Sequence, residues 1–205
     1  MNVFIPFYSR GGATEALAKA VAEGALAAGA AVRLRRAREI VGPEVMGRVP
    51  GWLEQAERMN AEYPAPTEDD AKWADAMILG WPTRFGLMSS ELKAYVDSLG
   101  GLWMRGKLNL KVGSSFTSTS TVHGGSEVTN LTMFVPMIHF GMIIVPPGFG
   151  DPVMFRAGTP YGASAHSAKV PPQLPGQDAL DAARYQGERV ARVAQALVSL
   201  RAAGN

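Results

Sequence analysis

The chain has 205 residues, a formal net charge of +2 at pH 7, three histidines (His123, His139, His166) and no cysteine, a size that fits one α/β domain over residues 1–205. Without cysteine there is no disulfide, thiolate metal site, iron–sulfur cluster or cysteine nucleophile, and the histidines lack metal-ligand spacing, so redox chemistry needs an organic cofactor. No apolar run approaches the roughly 18 to 20 residues of a membrane span, the N-terminus lacks a charged leader segment, and the arginines between 33 and 38 sit in a strand pattern without interleaved aromatics; a cytoplasmic protein with neither membrane insertion nor a nucleic-acid partner is expected.

Val3 to Tyr8 is almost wholly apolar, as in a central strand covered on both faces. Ala13 to Gly29 then places Leu17, Ala20, Val21, Gly24, Ala25 and Ala28 along one helical stripe. Small residues on that stripe let a helix lie close against a sheet, and Gly29 supplies a C-terminal stop. Val32 and Leu34 alternate with Arg33 and Arg35, the pattern of a half-exposed edge strand. Ala37 to Asp70 is rich in proline and charge, with a short helix near Trp52 to Met59. Ala76 to Trp81 and Lys111 to Ser118 read as the third and fourth strands, and Met142 to Val145 as the fifth. Between them Ser89 to Leu99 carries Leu92, Tyr95, Val96 and Leu99 at helical spacing, with Ser89 or Ser90 as N-cap. After a second long segment, Pro146 to Gln177, a closing helix over about Asp178 to Leu200 repeats Leu180, Ala183, Gly187, Val190, Ala194 and Leu197 on one face. This alternation predicts a doubly wound five-stranded parallel sheet with helices on both faces, compatible with the flavodoxin order 2-1-3-4-5. Segments as long as the two unassigned ones are usually functional or part of an interface.

Doubly wound sheets bind ligands at the carboxyl ends of their strands. After the first strand come Ser9, Arg10, Gly11, Gly12, Ala13 and Thr14, a glycine turn whose backbone N–H groups face outward at a helix start, flanked by two hydroxyls. Such a turn can hold a phosphate dianion without a lysine. Neither the G-x-G-x-x-G fingerprint nor the Walker lysine is present. After the third strand, Pro82, Thr83, Arg84, Phe85 and Gly86 form a proline-fixed loop suited to a planar heterocycle: Phe85 and Gly86 can present N–H groups to ring-edge acceptors, and Arg84 can face a carbonyl or a developing negative charge. After the fourth, Ser118, Thr119, Ser120, Thr121, Val122, His123 and Gly124 supply a run of hydroxyls and flexible residues that leads into a helix.

With these pieces in view the chain resembles, almost end to end, the WrbA-type NAD(P)H:quinone oxidoreductases, FMN proteins first described as tryptophan-repressor-binding proteins. The most specific matches are Pro82 to Gly86, Gly100-Gly101-Leu102-Trp103, His139-Phe140-Gly141-Met142 running into Ile143 to Pro146, Gly158 to Ala163, and Ala183 to Glu188. The resemblance implies that Ser9 to Thr14 hold the FMN phosphate, that Thr83 to Phe85 hold the isoalloxazine and that Ser118 to Gly124 line its other edge. It further implies that His139 reaches the flavin of a neighbouring subunit and that Trp103 lines the pocket for nicotinamide or quinone. Two departures stand out. Gly11 occupies a place where the family often has an aromatic residue, and the loop after the fourth strand is one residue longer, with His123 added.

The implied activity is a ping-pong transfer of hydride from NADH or NADPH to a quinone, with no side-chain nucleophile. FMN is expected rather than FAD, because only one phosphate-binding turn is evident. A homo-oligomer, a tetramer by the resemblance, is expected from the apolar and aromatic content of the two long segments. Trp103 follows a Gly-Gly turn and is expected near the flavin face; Tyr161 is assigned to a subunit interface. Two alternatives remain open: a one-electron flavodoxin-type carrier, and a regulatory binding protein whose FMN only stabilises the fold.

Overall fold

The computed structural model describes residues 1–167 and 174–203, so the part of the second long segment at 168–173 lies outside the described residues. The chain runs β1 (Asn2–Phe7), α1 (Ala13–Ala27), β2 (Ala31–Arg36), α2 (Pro43–Met46), α3 (Trp52–Glu62), α4 (Glu68–Trp73), β3 (Ala76–Pro82), α5 (Ser90–Ser98), α6 (Gly100–Met104), β4 (Val112–Thr119), α7 (Ser126–His139), β5 (Ile143–Ile144), α8 (Val153–Ala157), β6 (Ser164–His166), α9 (Gln177–Ala196) and α10 (Val198–Ala203). The strands are parallel in the expected order β2-β1-β3-β4-β5. No helix among the described residues is long and apolar enough to cross a membrane.

Strand β1 shows why the sheet is central. Val3, Ile5 and Phe7 point into one core with α1 and α9, while Phe4 and Tyr8 point into a second core with α5 and α7, so successive residues are buried on opposite faces. At the other extreme β2 is a half-exposed edge. Its Arg33 stacks 4.1 Å over Trp73, and Arg33 and Arg35 pair with Asp70 at 3.1 and 3.2 Å. Asp70 also closes a capping box with Thr67 that starts α4.

The expected strand at Met142–Val145 shrinks to two paired residues, and a sixth strand shares its place. β5 pairs with the start of β4 (Val112↔Ile143, Gly113↔Ile144), whereas β6 pairs with its end (Thr117↔Ser164 to Thr119↔His166). In the gap between them stands Gln186 of α9, fully buried. Its amide donates to Ser114 Oγ at 2.7 Å and to the Ser115 carbonyl at 2.8 Å, and its Oε1 accepts the Ala163 N–H at 2.8 Å. A side chain thus replaces the missing rungs of the ladder.

The small-residue stripe of α1 is used mainly against α9 rather than the sheet. A Cβ on Gly24 would lie 1.9 Å from the Arg184 carbonyl oxygen, and one on Gly187 would lie 2.0 Å from that of Val21. The two backbones therefore touch. Gly187→Ala or Gly24→Ala is expected to push the helices apart and cost about 1 to 3 kcal/mol, lowering Tm by several degrees in calorimetry, whereas Gly100→Ala, with nothing within 4 Å of its added Cβ, should leave Tm near that of the parent.

Candidate functional site

The loops after β1, β3 and β4 meet at one end of the sheet, and Ser118 joins them. Its carbonyl accepts the Thr83 N–H at 2.8 Å, its hydroxyl bonds Thr14 Oγ1 at 2.8 Å, and it sits opposite Pro82 on one side and Ala165 on the other. Both hydroxyls of that bond are buried.

In the first loop Gly12 adopts φ +94, a backbone that L side chains rarely take. Its N–H donates to Ser9 Oγ at 3.1 Å, and it serves as N-cap of α1 with no side-chain cap. The 15-residue helix thereby presents its first N–H groups uncapped, next to the hydroxyls of Ser9 and Thr14. Arg10 turns away and stacks 3.5 Å from the Trp52 ring centroid. Gly11 is partly exposed and Ala13 buried.

Sequence reasoning missed two supports of this loop. Arg36, wholly buried at the end of β2, donates to the Ser9 carbonyl at 3.1 Å and is itself held by Glu39 and Asn60; the alternating pattern of β2 gives no sign that this arginine turns inward. Glu15, in the first turn of α1, receives Arg58 at 2.5 and 3.0 Å, the Tyr63 hydroxyl at 2.9 Å and Lys19 at 3.2 Å. Burial raises the Glu15 carboxyl, but the hydrogen bonds from Arg58 and Tyr63 outweigh it and hold the group below its ordinary value.

The second loop is a two-residue hairpin. Arg84 and Leu87 exchange backbone hydrogen bonds at 3.0 Å each way, with Phe85 at φ 55 and Gly86 at φ 80. A left-handed phenylalanine is strained, and this one is fully exposed at 102%. The expectation that Gly86 offers its N–H outward is overturned: that group donates inward to Thr83 Oγ1 at 3.1 Å. Thr83 Oγ1 in turn bonds Thr129 Oγ1 at 2.7 Å, anchoring the turn to α7. The Arg84 guanidinium folds back on the Thr83 carbonyl at 3.2 Å.

In the third loop Thr119 Oγ1 donates to the Thr121 carbonyl at 3.0 Å, and the strand end is tied to the far segment by Ser167 N–H to the Thr119 carbonyl at 2.8 Å and by His166 Nε2 to the Ser120 carbonyl at 3.1 Å. Ser120, Val122 and His123 are exposed and Gly124 is half-buried. A Cβ at Gly124 would come within 2.9 Å of Thr119 and Thr121.

Trp103 and His139 lie elsewhere. The Trp103 indole N–H donates to the His139 carbonyl at 2.8 Å, and both line a shallow hollow of about 260 Å³ with Lys93, Asp97, Pro136 and Phe140. Helix α5 has carried the chain from the loop end of the sheet to the other end before Trp103, and α7 does the same before His139. Its 14 residues span about 21 Å at 1.5 Å per residue. The expected place of Trp103 near the flavin face is therefore not met within one chain, because a Gly-Gly turn does not say at which end of the sheet it falls.

Because Glu15 is held below its ordinary value of 4.5, it stabilises the fold above that pH and the contribution disappears as pH falls through the lowered value. Glu15→Gln should lower Tm at pH 7, with the gap to the parent closing below about pH 4.5; thermal melts across pH 3 to 7 check it.

Comparison with known proteins agrees with this architecture. The family model of NADPH-dependent FMN reductases matches residues 8–151. A protein of Methylocella silvestris named NAD(P)H dehydrogenase (quinone) is 44% identical over 94% of this chain and 96% of its own length. One of Rhizobium meliloti, named NAD(P)H dehydrogenase (quinone) 3, is 43% identical over 96% and 93%. The solved structure of a flavodoxin, WrbA-like protein from Agrobacterium tumefaciens superposes with a TM-score of 0.67 at 24% identity, covering 95% of this chain and 98% of that one; it speaks to the fold. Ordered matches over nearly the whole length, on a sheet of this order with its loops gathered at Ser118, place the chain in the NADPH-dependent FMN reductase family, among relatives named NAD(P)H dehydrogenase (quinone).

Proposed function

We propose that this chain is an FMN-dependent oxidoreductase that passes hydride from NADH or NADPH to a quinone, the two substrates taking turns in one slot. The observation that carries this reading is the cradle formed by the three loops: an uncapped helix start flanked by buried hydroxyls, facing a strained hairpin that displays a fully exposed aromatic ring. The donor set suits a phosphate monoester attached to a planar heterocycle, because N–H groups and hydroxyls neutralise a dianion while Gly12 lets the backbone approach. Ser9 to Thr14 would hold the phosphate. Pro82 to Gly86 and Ser118 to Gly124 would hold the ring system. A single phosphate-binding turn favours FMN over FAD. When bound, FMN supplies the hydride-accepting and hydride-releasing chemistry. The protein's part is to fix the ring between two loops tied by Thr83 and Ser118, to present Arg84 where negative charge develops, and to leave one face open.

The protein would work as a homo-oligomer, by family likeness a tetramer. Helix α7 exposes Val128, Leu131, Val135 and Ile138 at spacings of three and four, an apolar stripe of the kind that seats another helix. Self-association also reconciles the separation of Trp103 and His139 from the three loops, since a neighbouring copy can bring them to the cradle.

The direct test is anaerobic addition of NADH or NADPH to purified protein loaded with FMN, followed by a quinone. Bleaching and recovery of the flavin absorbance, with parallel double-reciprocal lines in steady state, are expected; accumulation of a one-electron-reduced form would instead assign an electron carrier. Trp103→Ala should lower kcat/KM for both substrates by a few-fold to roughly tenfold with FMN content unchanged, since ring stacking is worth about 0.5 to 1.5 kcal/mol beyond area burial. Unaltered kcat/KM for both substrates, normalised to bound FMN, would remove Trp103 from the slot.

A further inference from the structure

At the end of the sheet opposite the three loops, a cavity of about 300 Å³ opens between the end of α4, the start of β3, the segment leading into β4, and α10. Among the described residues its lining collects four cations, Lys72, Lys107, Lys111 and Arg201, against one carboxylate, Asp75. Asp75 is already engaged on both oxygens, accepting the Asn2 N–H at 2.7 Å and facing Arg201 Nη2 at 3.0 Å. Lys72 and Lys107 are exposed, and neither forms an ion pair among the described residues.

Lys111 is the unusual member. It is 8% exposed, and its ammonium donates to the carbonyls of Lys72, at 3.1 Å, and of Ala74. Those bonds satisfy two of its three N–H groups and no carboxylate pairs with it among the described residues, so its charge is hydrogen-bonded but not neutralised. A buried charge without a counter-ion is costly. The cost is visible as burial pushes the amine down to about 8, with Asp75 opposing and Arg201 adding to the shift. An anion in the cavity would relieve it. Four cations against one acid among the described lining residues leave an excess of three positive charges, more than a halide or a carboxylate answers, and the lysines are point donors of the kind that bind phosphate oxygens.

We propose that this cavity is a binding site for a small phosphate-class polyanion, seated on Lys111 and surrounded by Lys72, Lys107 and Arg201. The volume is at the lower end for ligand pockets, which favours a compact ligand such as a diphosphate over a whole dinucleotide. The site is separated from the cradle by the length of the sheet.

The test is isothermal titration of FMN-saturated protein, whose first loop is thereby filled, with sodium pyrophosphate and with orthophosphate at low ionic strength. Saturable one-to-one binding is expected, tighter for pyrophosphate. Lys111→Met should abolish it, and the double variant K72A/K107A, which alters only exposed side chains, should weaken it at least tenfold. The double variant R48A/R105A removes two exposed charges elsewhere and should shift binding less than twofold. Absence of saturable heat up to millimolar pyrophosphate would overturn the proposal, as would binding that K72A/K107A leaves within twofold of the parent. If Lys111→Met does not fold, the K72A/K107A comparison decides the matter alone.

Discussion

The loop end of this protein depends on one hydrogen-bonded seam, the last residues of β4. Ser118 holds the β3 loop through its carbonyl and the first helix through its hydroxyl, while Thr117 Oγ1 reaches the Trp81 carbonyl at 2.7 Å. A shift of β4 by one residue would turn both hydroxyls to the opposite face of the sheet and move the Ser118 carbonyl away from the Thr83 N–H. The register of a buried parallel strand, set by apolar residues such as Val112 and Phe116, thus determines where three loops meet.

Charge is arranged around that seam in layers. The first loop carries no lysine, yet guanidinium groups brace it from behind: Arg36 through the Ser9 carbonyl and Arg58 through Glu15. Arg36 is enclosed, with Glu39 as its counter-ion, so it acts as a rigid strut. Glu15 puts a carboxylate in the first turn of the helix that would receive a phosphate, an arrangement that repels an anion unless Arg58, Lys19 and Tyr63 compensate it. The sheet's opposite end gathers cations with fewer counter-ions.

Much of this was legible in the sequence, for identifiable reasons. Strands buried on both faces are continuous apolar runs, so β1 and β3 were readable within a residue or two, and Gly29 at φ +79 ends the turn beyond α1 as its position suggests. Glycine turns and the Pro82 loop announced themselves because only a few residue types allow such backbones. Other features had no local signature. β6 is three residues long, too short for any period to register, and although the apolar run Met142 to Val145 marks β5, nothing in it shows that only Ile143 and Ile144 pair. Gln186 looks like one more polar residue on a surface helix until the gap in the sheet is seen. The position of Trp103 depends on which way α5 travels, and the direction of Gly86's N–H depends on a hydroxyl three residues earlier; neither is a property of composition.

The divided edge of the sheet has a consequence for behaviour in a crowded solution. A long, flat outer strand offers a row of free backbone groups to any other strand it meets. Here that border is cut into two stubs, with an amide from α9 filling the space between them. Among the described residues, a foreign strand approaching from this side finds no continuous template longer than three residues, so the arrangement that accommodates the excursion from Val145 to Ala163 also guards this border of the sheet against edge-to-edge pairing.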